Sequence, residues 1–155
     1  MILRPGDRAP DFALADQHGS VITLAEATRG SALVLAFVPF AFSPICGDEL
    51  ADLDRWRTRM HDDSQAVDIV VVSVDSKYTL AAWAQQTGTS LALGSDFWPH
   101  GEVASAFGVF DEIHGVAERA VFVISATGTI IRGRQVARSQ TRDFTGDFAA
   151  ARSGL

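Results

Sequence analysis

The sequence of 155 residues contains a single cysteine, Cys46. An intrachain disulfide and any all-cysteine metal or iron–sulfur site are therefore excluded, and that cysteine is either inert or the chemistry itself. Positive charge is also scarce: 13 Lys and Arg face 19 Asp and Glu, a formal charge of −6, which is the wrong sign for a phosphate backbone to attract. Nucleic acid is not an expected partner. No apolar run approaches the roughly 18 residues of a membrane helix, and the opening Met1-Ile2-Leu3-Arg4-Pro5-Gly6-Asp7 turns polar before a signal-peptide core forms. A soluble, cytoplasmic protein that does not engage membranes is the expectation. There is no internal repeat, low-complexity tract, linker or glycine-rich phosphate loop. The histidines His18, His61, His100 and His114 lack metal-ligand spacing, so neither a metal nor another cofactor is expected.

What is present is ordinary for a globular chain, with 47% hydrophobic and 21% charged residues. The length suits about one domain, and residues 1–155 are read as one that folds on its own core. Asp11–Leu14 and Ser20–Leu24, separated by the turn-like Asp16-Gln17-His18-Gly19, predict an N-terminal hairpin. Ala32–Val38 is a continuous apolar run of strand length that stops at Pro39, as expected of a strand covered on both faces. From Pro44 to about His61, Ile45, Leu50, Leu53, Trp56 and Met60 recur at steps of three to five among charged residues, which predicts an amphipathic helix.

A second buried strand is expected over Asp68–Val74 and a helix over Lys77–Gln86, ending at Gly88. A short helix over Glu102–Phe107 follows. A second hairpin is expected from Arg119–Ile124 and Thr129–Arg132, and a closing helix over about Thr141–Arg152, with Phe144, Phe148 and Ala151 on one face. An early parallel βαβ unit, a late antiparallel hairpin and a closing helix are the order of an α/β thioredoxin-like fold. That fold has a central mixed sheet flanked by helices, here extended by the N-terminal hairpin.

Ser43 suits the N-cap and Pro44 the first helical position, which puts Cys46 at N3. There the sulfur faces unpaired backbone N–H groups and the positive end of the helix dipole, both of which favour the thiolate. A capping box normally sets a Glu or Gln at N3, so the helix start is built around negative charge at residue 46. In a Cys-x-x-Cys the second thiol would stand at residue 49, which is Glu49. An oxidised Cys46 must then be resolved by a thiol from outside the chain.

Pro39-Phe40-Ala41-Phe42-Ser43-Pro44-Ile45-Cys46 resembles the peroxiredoxin active-site pattern of Pro, three residues, Thr or Ser, two residues and Cys, with an arginine far downstream at a strand start, Arg119. Ala9-Pro10-Asp11-Phe12, Ser95–Gly101 and Phe107-Gly108-Val109 are similar to further segments of that family, so the likeness spans nearly the whole chain. It is greatest to the one-cysteine subgroup of the alkyl hydroperoxide reductase E type. Serine replaces the commoner threonine at residue 43. Ala51 stands where some relatives carry a resolving cysteine.

The resemblance implies a thiol peroxidase acting on hydrogen peroxide and organic hydroperoxides through a cysteine sulfenic acid. Cys46 would be the nucleophile, Ser43 and Arg119 would hold the peroxide, and Pro39 would shield the sulfur. The external reductant would be a low-molecular-weight thiol, a glutaredoxin-like protein or thioredoxin. Glu49 either orients the Arg119 guanidinium or relays a proton, or is a solvated helix-start acid. Arg119 itself has the alternative of a surface ion pair with Glu118 or Asp111. Phe40, Phe42 and Trp98 are candidates for an apolar pocket wall or for a contact in a homodimer, as is common in the family. Trp83 fits the core of its helix or the pocket border. Two other functions compete: a cysteine hydrolase or acyl transferase with His100 or His114 as base, and a non-catalytic thiol sensor on the same scaffold.

Overall fold

The computed structural model describes residues 1–64 and 67–153. In chain order its elements are β1 (Ala13–Ala15), β2 (Val21–Thr23), α1 (Leu24–Ala27), β3 (Ala32–Phe37), α2 (Pro44–Asp62), β4 (Val67–Ser73) and α3 (Lys77–Thr87). They continue with β5 (Ala92–Ser95), α4 (Glu102–Ala106), β6 (Phe110–Asp111), β7 (Val116–Ala117), β8 (Arg119–Ile124), β9 (Ile130–Val136) and α5 (Thr145–Ser153). The main sheet runs β2-β1-β5-β4-β3-β8-β9. β3 is parallel to β4, with Leu35 opposite Val70, and antiparallel to β8, with Leu35 opposite Phe122.

The apolar runs read as buried strands are the central ones, since every residue of β3 and β8 is buried. Alternate residues of β3 serve opposite layers. Val34 and Ala36 meet α2, α3, α5 and the residue before α5 through Leu50, Leu53, Leu80, Trp83, Phe148 and Phe144. Leu33, Leu35 and Phe37 meet α1, α4 and the N-terminal segment through Leu24, Phe107 and Phe12. The expected mixed sheet flanked by helices, with its N-terminal hairpin, is thus present.

Several boundaries differ from the sequence expectation. The closing helix starts at Thr145 rather than near Thr141, because the Asp143 carboxylate accepts from Thr145 N at 3.0 Å and caps it there. Arg142 is left in the preceding loop. Leu24 belongs to α1, whose cap is the Thr23 hydroxyl, and not to the first hairpin. β9 runs on to Val136, past the expected end at Arg132. The β6–β7 hairpin carries no sequence signal, since strands of two residues are too short to show a period.

The topology fixes where chemistry can occur. β8 opposes β3 with Ala120 across from Phe37, so Arg119 lies at the end of β3 from which the chain turns into α2. β1 meets β5 by the single pair Ala15–Ser95, and toward the start of β5, at the far end of the sheet from Arg119, the two strands diverge. The Gln17 side-chain amide fills the gap, donating to Leu91 O at 2.7 Å and accepting from Leu93 N at 2.9 Å. Gln17→Ala leaves both backbone groups without these partners and should cost about 1–3 kcal/mol of stability. Chemical denaturation would read this loss, while the reactivity of Cys46, at the opposite sheet end, should be unchanged.

Candidate active site

Local sequence chemistry builds the start of α2. Pro44 occupies the first turn, where its missing N–H costs nothing, and the Ser43 hydroxyl accepts from Cys46 N at 3.3 Å. Cys46 therefore sits at N3, and no acidic residue stands in that first turn. The residue before the cap, Phe42, has φ of +69°, a left-handed backbone that costs a non-glycine residue about 1–2 kcal/mol.

Arg119 is 2% exposed, which removes the surface ion pair as an account of it. Its Nη1 and Nη2 each donate to Cys46 Sγ at 3.4 Å, and its Nε donates to Arg138 O at 3.0 Å. Nη1 also donates to Glu49 Oε1 at 2.5 Å. Glu49 is 1% exposed, so it is not a solvated acid. It is one turn on from Cys46 and turns the same way.

Glu49 leads to a residue that sequence reasoning passed over. Arg142 donates to Glu49 through its backbone N at 2.9 Å, Nε at 2.7 Å and Nη2 at 2.9 Å, and through Nη1 to Ala120 O at 2.5 Å. Burial alone pushes the Glu49 carboxyl up. The hydrogen bonds and charge of Arg142, with the charge of Arg119, outweigh it and hold the group below its usual 4.5. The buried set of Arg119, Arg142 and Glu49 carries two positive charges and one negative, and the group completing it is the sulfur of Cys46. A thiolate brings the cluster to neutrality, and a thiol leaves one positive charge uncompensated in a dry interior.

Above this cluster lies a cleft of about 420 Å³ lined by Pro39, Phe40, Ser43, Pro44, Ile45, Arg119 and Arg138. Cys46 has no exposed surface, and its hydrogen-bond partners Ser43 and Arg119 both line the cleft. Of the candidate wall residues, Phe40 lines the cleft. Phe42, 46% exposed, does not, and its ring lies 6.5 Å from that of Trp83. Trp83 is buried in the core under α3 and does not border the cleft either. Trp98, 82% exposed, also stands outside it. The histidines are exposed. The ring nitrogens of His100 face Phe97 O and Gly115 O, and His114 Nδ1 faces Asp111, so neither contacts Cys46 as a base. Among the described residues no cluster of His, Cys, Asp and Glu suits a metal ion.

Residues 5–132 match the model of the AhpC/TSA family. The chain is 39% identical over 143 residues to alkyl hydroperoxide reductase E of Mycobacterium tuberculosis, covering 92% of each chain. A putative peroxiredoxin of the same organism is 33% identical over 137 residues, with 83% of each chain covered. Among solved structures, the peroxidoxin BcpB of M. tuberculosis superposes with a TM-score of 0.82 at 26% identity, covering 96% of this chain and 95% of that one. A peroxiredoxin-like protein from Aquifex aeolicus gives 0.87 at 21% identity, covering 100% and 90%, a likeness of fold. With the thioredoxin-like fold and this family match together, the chain belongs to the AhpC/TSA family and is a peroxiredoxin, an oxidoreductase of the thiol-peroxidase type.

Proposed function

We propose that the protein reduces hydrogen peroxide and organic hydroperoxides by a one-cysteine cycle centred on Cys46. The observation that carries this is the pair of Arg119 N–H groups aimed at Sγ from a buried cluster one negative charge short of neutral. The thiolate attacks the terminal oxygen of the hydroperoxide in line. An S–O bond forms as the O–O bond breaks, sulfur is oxidised to the sulfenic acid, and the alkoxide or hydroxide leaves and takes a proton from solvent. Negative charge grows on the departing oxygen, so fixed donors beside it lower the barrier. Arg119, Ser43 and the first-turn N–H groups of α2 are those donors. Pro39, which has no N–H and presents an apolar ring, shields the sulfur.

Glu49 and Arg142 act by position. They fix the plane of the Arg119 guanidinium, which lysine could not replace because the fork serves two acceptors at once. Regeneration falls to an external thiol, whether a low-molecular-weight thiol, a glutaredoxin-like protein or thioredoxin. Its sulfur displaces the sulfenic hydroxyl as water and leaves a mixed disulfide, which a second thiol reduces. A lone thiol that must stay reduced between turnovers suits the cytoplasm. Among the described residues no helix is long and apolar enough to cross a membrane. For Trp98, the exposed position supports a contact within a homodimer over a place in the pocket wall.

Three measurements test this. Arg119→Met should slow peroxide reduction on the order of 10²- to 10³-fold in stopped flow, as expected on losing an oxyanion donor; a loss below tenfold removes Arg119 from the mechanism. Because the Glu49 carboxyl is lowered in the folded protein, its stabilisation is present above 4.5 and is lost as pH falls through the folded value. Glu49→Gln should cost about 3 kcal/mol at neutral pH, and its deficit against wild type should shrink below pH 4.5 in denaturant titrations. Trp98→Arg should shift the protein to monomer in sedimentation velocity, and an unchanged sedimentation coefficient counts against the dimer.

A further inference from the structure

Cys46 has no exposed surface, so the segment over it, residues 39–43, decides what reaches the sulfur. That segment is pinned on both sides of its strained member. On the far side of Phe42, Ser43 caps α2 through Cys46 N. On the near side, Ala41 N donates to Asp75 Oδ2 at 2.8 Å. Asp75 follows β4 and is itself fixed: the same Oδ2 accepts from Ser73 Oγ at 2.7 Å, Asp75 N donates to Ser73 Oγ at 3.2 Å, and Ser95 Oγ donates to Asp75 O at 2.6 Å. Ser73 is 1% exposed, so this mount is part of the sheet end and not of the solvated surface.

Resting on the peroxidase chemistry above, we propose that Asp75 is a positioning residue that latches the active-site segment through Ala41 N and so divides the two half-reactions. Phe42 holds a left-handed backbone only while both neighbours are fixed. Releasing Ala41 lets Phe42 relax and displaces Ser43 and the cleft wall. Attack on peroxide requires the closed form, since Ser43 and the first-turn N–H groups are then aligned with the sulfur. Attack by an external thiol requires the open form, since the sulfur otherwise has no exposed surface. The latch therefore favours oxidation and restrains reduction.

The test is Asp75→Ala in the full chain, with both half-reactions followed by rapid-quench mass spectrometry, using hydrogen peroxide and then 2-mercaptoethanol. Oxidation should slow about tenfold, while formation of the mixed disulfide should rise about fivefold. Asp75→Asn, which keeps an acceptor for Ala41 N, should restore both rates. Labelling of reduced Cys46 by a bulky maleimide should speed up in the Ala variant alone. With the fold of Asp75→Ala verified by circular dichroism, parallel changes in the two rates, or no change in either, overturn the latch. If Asp75→Ala does not fold, Ser73→Ala, which removes the second donor on the same oxygen, should move the two rates in the same opposite directions to a smaller extent; parallel changes there overturn it too. A wild-type oxidation rate no faster than free cysteine would instead defeat the peroxidase chemistry, while the maleimide comparison would still report on the latch.

Discussion

The buried carboxylate of Glu49 is the constraint on which the rest of the site depends. Two guanidinium groups, at 2% and 3% exposure, are brought out of water beside it. A buried ion pair is seldom a gain over well-packed apolar side chains, because desolvation of each ion costs several kcal/mol. A cluster with one cation in excess is costlier still. Such an arrangement is explained by what it does to a neighbour, and the neighbour is Cys46. The cluster's surplus positive charge, the two N–H groups on Sγ and the N-terminus of α2 all face that one sulfur.

The fold serves this cluster by bringing together four distant pieces of chain. Cys46 and Glu49 come from one face of the first turns of α2, Arg119 from the first residue of β8, and Arg142 from the loop that closes onto α5. The β3–β8 register sets Arg119 opposite the α2 start, and Ala120 O, in the next residue of β8, receives Arg142. Each arginine is therefore held by backbone as well as by Glu49, since Arg119 Nε is fixed on Arg138 O. The guanidinium plane is set by Glu49 and by the Arg138 carbonyl in the turn after β9, and not by the cysteine.

Much of this was legible in the residues. The cap at Ser43, Pro44 in the first turn and Cys46 at N3 follow from local chemistry, and the strands β3, β4 and β8 follow from apolar runs of the right length. Arg119 was reached through the family pattern, since nothing in its own neighbourhood distinguishes it from a surface arginine. Arg142 was not found. Its role rests on contacts to a residue 93 positions away, and it falls where helix periodicity extended four residues too far. The one signal available was an arginine two positions before Phe144, a residue with no exposed surface. The aromatic candidates divided for a similar reason: exposure of Trp98 and burial of Trp83 are tertiary facts, and composition treats all tryptophans alike.

Oxidation changes the charge balance that the cluster was built around. A thiolate neutralises it, whereas a neutral sulfenic acid leaves the two arginines and Glu49 with one positive charge in excess. The buried cluster is then less favourable than with a thiolate, because the surplus cation has no counter-charge out of water. Under the proposed cycle, the arrangement that holds Cys46 for attack on peroxide is weakened by the product of that attack. The outside thiol of that cycle would meet a sulfur with no exposed surface only from the weakened state. In the proposed cycle, charge compensation and burial, acting on one side chain, would give the two half-reactions their order.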